Sequence, residues 1–136
     1  MKKILIGIFI LSSTTLFGQD NRDNGKVYFI RSEGLQAPAA AFSVFIDHKI
    51  FCRLNNKRFA ILDVKAGSHT FSSQFSGKKS NEKAEKIEEQ IEAGKTYYLK
   101  LDFQHGFFKN KLHFKEMDEN AAKKSLTGLE QVKNLQ

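Results

Sequence analysis

Short runs in which apolar and polar residues alternate recur along this chain, and they constrain its fold more than any other feature. Alternation with a period of two places successive side chains on opposite faces of a β-strand. The clearest run is 96–103, so we expect a strand there with one apolar face buried. The residues on that face are Tyr97, Leu99, Leu101 and Phe103.

Seven or eight such strands, with turn residues between them, predict a mainly β protein folded as a single antiparallel β-sandwich. The charged segment 78–92 is ambiguous, because Ala84, Ile87 and Ile91 also recur at the spacing of a helical stripe. We predict a strand over 86–92 because short strands surround it, with a helix as the alternative. The predicted strands are 26–31, 42–46, 50–54, 58–64, 69–75, 86–92, 96–103 and 111–117.

The last segment, 118–136, predicts one C-terminal helix. Asp118 is a suitable N-cap, because its side chain can accept hydrogen bonds from the first backbone N–H groups of a helix. Gly128 weakens the predicted helix by ~1 kcal/mol relative to alanine. The positions at helical spacing are Ala122, Leu126, Leu129 and Val132 or Lys133.

The first eighteen residues have the order of a secretory signal peptide. Lys2 and Lys3 precede an uncharged apolar run, and small and polar residues follow up to Gly18. The run is far shorter than the ~20 residues of a membrane-spanning helix. We therefore expect cleavage after Gly18, export to the periplasm or the medium, and no transmembrane anchor afterwards. The predicted segments are a signal peptide at 1–18, a flexible leader at 19–25, a sandwich at 26–117 and the helix at 118–136.

Charge and cysteine content restrict the partners. The net charge of +7 falls by two when Lys2 and Lys3 are removed, and the remaining excess favours an envelope protein, a glycan or an anionic surface. Nucleic acid is not expected, since an exported protein rarely meets it.

Cys52 is the single cysteine, so no internal disulfide can form, and it lies too far from the signal region to carry a lipid anchor.

Four stretches of the chain carry a resemblance to known proteins: 26–31 (KVYFIR), 44–47 (VFID), 63–71 (DVKAGSHTF) and 92–102 (EAGKTYYLKLD). They resemble a bacterial family of exported proteins, domain of unknown function 2846, and more distantly the PEGA-type surface β-sandwiches. The resemblance implies a small β-sandwich of the cell envelope and brings no known catalytic residues with it. Asp47-His48-Lys49 departs from the Asp-Gly-Lys turn that is common in the family.

The residues that could support chemistry do not form a recognised motif. His48, His69, His105, His113 and Cys52 lack the close paired spacing of zinc ligands, and we predict no metal, cofactor or catalytic residue. The runner-up function is a hydrolase that acts on an envelope polymer through loop carboxylates, for which the candidates are Asp47, Asp63 and Asp102.

A tight hairpin is expected at Lys65-Ala66-Gly67. Asp63 and His69 flank it symmetrically, so they would face each other across the strands and contribute ~0.2–1 kcal/mol. Gly67 is suited to this turn if the chain adopts a positive φ there.

Phe107 and Phe108 are the candidate partner-binding residues, beside His105 and Lys109. One alternative is that both rings pack under the loop, as most apolar side chains of a small sandwich do. The other is that an exposed ring contacts a glycan, a lipid or a protein. The leading function is accordingly an exported, non-catalytic binding module of the cell envelope.

We expect mass spectrometry of the protein from its native cell to find a mature N-terminus at Gln19, because the signal pattern ends at Gly18. An intact Met1 on protein found in the cytosol alone would contradict this prediction.

Overall fold

The computed structural model describes residues 21–33, 39–75, 77–104, 106–108 and 111–133. These residues form nine strands and one helix after a 3₁₀ turn at Asn21–Asp23. The first strands are β1 Asn24–Arg31, β2 Phe42–Ile46, β3 Lys49–Leu54, β4 Arg58–Lys65 and β5 Gly67–Gln74. The others are β6 Lys86–Ile91, β7 Thr96–Gln104, β8 Lys111–Glu116 and β9 Glu130–Gln131, with the helix α1 Glu119–Leu126 between β8 and β9.

The strands form two sheets that pack face to face. The first sheet has the order β8-β7-β1-β4-β9 and the second has the order β3-β2-β5-β6. The mainly β sandwich predicted from the alternating pattern is therefore confirmed, and so is the strand over 86–91. Most neighbours are antiparallel, but β1 pairs in parallel with β7, and β4 pairs in parallel with β9.

Aromatic rings fill the space between the sheets. Phe29 on β1 is fully buried, and its ring centroid lies 5.5–5.7 Å from three others. Phe51 and Phe71 belong to the second sheet and Phe114 to the first, so one ring joins both layers. Each pair of tilted rings at such a distance contributes about 0.5–1.5 kcal/mol to stability, in addition to the free energy gained by burying its surface.

The outward faces of the two sheets are also partly covered. Ile30 on β1 and Phe45 on β2 alternate with core residues, yet both are fully buried. Over the second sheet, the hydroxyl of Ser43 donates to the carbonyl of Gly77, which holds the chain after β5 against β2. The helix has a fully buried Ala122 on its inner side. No helix in the described parts of the chain has the length and apolar character to cross a membrane.

The C-terminal helix is shorter than predicted. Asp118 does cap its first turn, accepting from the backbone N–H of Ala121, but the helix ends at Leu126 instead of continuing through 136. Gly128 has a φ of +80°, in the left-handed region that ends helices. Beyond it the backbone of Glu130 donates to the carbonyl of Lys57, so β9 extends the sheet at the β4 edge. Residues 134–136 lie outside the described residues.

The predicted flexible leader is also partly structured. The structure describes it from Asn21, and β1 begins at Asn24, two residues earlier than predicted. The carbonyl of Asp23 accepts from the N–H of Ala66, and the carbonyl of Asn24 accepts from the N–H of Gly94. These hydrogen bonds hold the start of β1 against two turns. The predicted signal peptide, 1–18, lies outside the described residues.

We expect Leu101→Ala to lower the free energy of unfolding by about 2–5 kcal/mol, because Leu101 is 1% exposed in the core between the sheets. Lys100→Ala, on the opposite face of β7, should change it little. Chemical denaturation of both variants measures the difference, and equal small effects would show that the burial of β7 is misassigned.

Candidate binding site at the β7–β8 hairpin

Two adjacent phenylalanines lie fully exposed where β7 and β8 join. Phe107 and Phe108 have relative exposures of 101% and 99%, and their ring centroids are 5.7 Å apart in an edge-to-face arrangement. The alternative in which both pack under the loop is therefore wrong. His105 and Lys109, predicted beside them, lie outside the described residues. We call Gly106, Phe107 and Phe108 the hairpin tip.

The inward faces of β7 and β8 fix the hairpin to the core. Leu101 lies opposite Phe114, and Phe103 lies opposite Leu112. Phe103 extends this packing toward the end of the sandwich through an edge-to-face contact with Phe75, which is 46% exposed. The strands are therefore anchored to the core up to Phe103 and Leu112, and the exposed tip lies in the segment that joins them.

The outward face of the same hairpin is cationic, and we call it the hairpin outer face. Lys100 on β7 lies directly opposite Lys115 on β8, and the next outward pair joins Asp102 to His113. Among the described residues, no carboxylate lies within ion-pair distance of Lys100 or Lys115, whereas Lys111 pairs with Glu85 at 2.9 Å. Like charges directly opposite each other destabilise a sheet.

A second basic region borders the edge strand β3. A groove of about 640 Å³ lies between this strand and the chain after β5, with the cations Arg53 and Lys78 in its walls. Cys52 also lines it but is 1% exposed, and burial raises the pKa of its thiol to about 12. The groove therefore offers charge and apolar surface but no reactive thiolate.

The predicted hairpin at Lys65-Ala66-Gly67 is wrong. The chain crosses here from β4 in the first sheet to β5 in the second, so Asp63 and His69 do not face each other across paired strands. Asp63 lies opposite Lys26 on β1 instead. The positive φ expected at Gly67 is present, at +137°, because the chain must turn sharply between layers.

His69 pairs with Asp47 instead. Its Nδ1 lies 2.6 Å from Asp47 Oδ2, and its Nε2 lies 2.7 Å from the carbonyl oxygen of Lys65. Asp47 Oδ1 also accepts from the backbone N–H of Thr70 at 2.9 Å. These contacts join the β2–β3 turn to β5 and to the crossover, so both ring nitrogens are occupied by structural partners.

The pKa of Asp47 reflects competing effects. Partial burial alone would raise the pKa, but the Thr70 N–H, the bond to His69 and the charges of His69 and His48 together hold it below its usual value.

Asp47 and His48 have φ values of 49° and 67°, as a type I′ hairpin turn requires. His48 therefore takes the left-handed conformation that a glycine would adopt more easily.

Arg31 is a buried residue that the sequence analysis missed. It is fully buried at the end of β1, where Nη1 donates to the carbonyl oxygens of Ala40 and Leu54 at 2.5 Å and 2.7 Å. Its guanidinium lies 4.0 Å from the ring centroid of Phe42, and burial lowers its pKa. The one signal of burial in the sequence is its spacing, since Arg31 follows Val27 and Phe29 on the same face of β1.

The carboxylates of the hydrolase alternative do not converge. Lys26 lies opposite both Asp63 and Thr96, so Asp63 is level with the start of β7. Asp102 is six residues further along β7, or about 20 Å away at the rise of a strand. Asp47 belongs to the other sheet's hairpin. Within the described residues, no group of three metal-binding side chains is present either.

A family model described as a protein of unknown function (DUF2846) matches residues 21–120. This range runs from the turn before β1 into α1 and contains the whole β7–β8 hairpin. No curated protein and no solved structure is matched by the chain.

We expect Asp47→Ala to lower the free energy of unfolding near neutral pH by about 1 kcal/mol, because it removes bonds to Thr70 and His69 at a partly exposed site. The pKa of Asp47 is lowered by folding, so its contribution is present above the unfolded value of about 4 and is lost as the pH falls through the folded value. Thermal melts of wild type and variant should therefore converge in acid.

Asp63→Ala is the matched control, since Asp63 is an exposed aspartate that does not contact His69, and its melt should stay close to that of the wild type. His69→Ala should lower stability modestly and leave partner binding intact. An unchanged melt with abolished binding would contradict the structural role of the Asp47–His69 pair.

Proposed function

The chain belongs to the DUF2846 family of proteins of unknown function, and we propose that it is an exported, non-catalytic binding module of the cell envelope that contacts its partner through the hairpin tip. The observation that carries this proposal is the complete exposure of Phe107 and Phe108. A buried phenylalanine contributes about 1.5–3 kcal/mol relative to an exposed one, so the tip forgoes a stabilisation that other phenylalanines of this chain obtain.

The rest of the molecule supports a scaffold role. The core residues Phe29 and Leu101 hold the hairpin in a fixed orientation, and the histidine–aspartate contact at His69 and Asp47 braces a corner of the sandwich. The candidate carboxylates are dispersed over both sheets, and the one cysteine is buried as a thiol of raised pKa. Export to the periplasm or the medium is proposed from the signal pattern, and it is the reason for proposing a partner in the envelope.

We expect Phe107→Ser/Phe108→Ser to reduce binding of the mature protein to isolated cell envelopes by about tenfold or more, because two anchoring rings are removed. Sedimentation of labelled protein with the envelopes measures the bound fraction. The melting temperature should stay unchanged, since neither ring packs on the core.

Ile50→Ser is the matched control, because Ile50 is 40% exposed on β3 and its loss removes apolar surface away from the hairpin tip. This variant should bind envelopes as the wild type does. Equal binding by all three proteins, with the tip variant folded, would contradict the proposed docking role of the hairpin tip.

A further inference from the structure

We propose that the partner of the hairpin tip is an anionic lipid bilayer, into which Phe107 and Phe108 insert while the hairpin outer face lies toward the headgroups. The proposal rests on the binding role proposed above and specifies the chemistry of the partner. It is carried by an aromatic tip and a cationic face that belong to one hairpin.

The tip has the shape and composition of an interfacial anchor. Phe107 and Phe108 are adjacent, fully exposed and in contact with each other, so they present one small apolar point. Moving such a point into the boundary between headgroups and acyl chains is favourable in free energy, because its apolar area leaves water. The strands behind it are fixed to the core, so insertion needs no rearrangement of the sandwich.

The hairpin outer face supplies the complementary charge. Lys100 and Lys115 lie opposite each other on neighbouring strands. Lys111, the first residue of β8, pairs with Glu85, so within the described part of the chain the unpaired charge of this face is that of Lys100 and Lys115. Anionic headgroups would relieve the repulsion between Lys100 and Lys115, and each lysine near such a surface adds attraction that salt screens.

A bilayer fits this hairpin better than a protein pocket does. A stable protein interface covers about 800 Å² on each partner, with a polar rim around a broad apolar centre. Here the exposed apolar groups of the tip are two rings on a narrow hairpin, and the face behind them is rich in lysine. A small apolar point with cations behind it matches the chemistry of a membrane surface.

The chain has no tryptophan, so a single substitution supplies an optical probe. We expect Phe108→Trp to shift its fluorescence emission to shorter wavelength with phosphatidylglycerol-containing vesicles, and brominated acyl chains to quench it. Ala93→Trp, in the exposed turn between β6 and β7 at the other end of β7, should show neither change. The absence of a shift and of quenching at Phe108→Trp would overturn insertion.

Charge is tested with Lys100→Gln/Lys115→Gln. We expect about tenfold weaker binding to the anionic vesicles at low salt. The melting temperature should be no lower than that of the wild type, because the repulsion between two like charges is removed. Lys78→Gln/Lys79→Gln removes the same charge after β5 and should have a smaller effect. Equal losses from both pairs would overturn the assignment of the hairpin outer face.

Phe107→Ser/Phe108→Ser should lose vesicle binding, while Ile50→Ser should keep it. If wild-type protein fails to bind anionic vesicles yet binds isolated envelopes through the tip, the lipid proposal is wrong and the proposed function stands with a protein or glycan partner. If the tip variant binds both as the wild type does, the proposed function fails as well.

Discussion

The packing of Phe29 against rings from both sheets is the interaction on which the rest of the structure depends. The single cysteine excludes an internal disulfide, so stability must come from packing and from hydrogen bonds that close the ends of the sandwich. Phe51, Phe71 and Phe114 surround Phe29 from three strands of the two sheets. A shift of one residue in any of these strands would turn its ring from the core toward the other face of the sheet, so this cluster opposes changes of register.

Alternation along the chain was sufficient to predict β1 to β8, because core faces such as those of β1 and β7 are apolar at every second residue. It did not predict β9, which lies where a helix was expected. It could not predict which strands become neighbours. The parallel pairing of β1 with β7 joins residues about 70 positions apart, as Lys26 and Thr96 show, and no local pattern encodes such a pairing. The crossover at Gly67 was mistaken for a hairpin for the same reason: a short turn with glycine fits both a hairpin and a change of sheet.

The candidate site shows a similar division between local and long-range information. Phe107 and Phe108 were identified from the sequence, but their burial depended on whether any element covers the β7–β8 junction. Asp47 and His69 were each noticed, yet their pairing joins the β2–β3 turn to β5 and required the tertiary fold. Arg31 was missed because a charged residue at a strand end is normally solvated, whereas here carbonyl oxygens and the ring of Phe42 surround it.

The lysines of the β7–β8 hairpin could protect the sheet edge or attract an anionic surface. The position of each lysine indicates which of these two roles it suits. Lysines on an edge strand hinder edge-to-edge pairing with another molecule, and this role suits Lys111 and Lys115 because β8 forms one edge of the first sheet. It does not require Lys100, which lies on the second strand directly opposite Lys115 and adds repulsion between them. A cation at that position is favourable when an anionic surface faces the hairpin, and the same strands place the two exposed rings at their end.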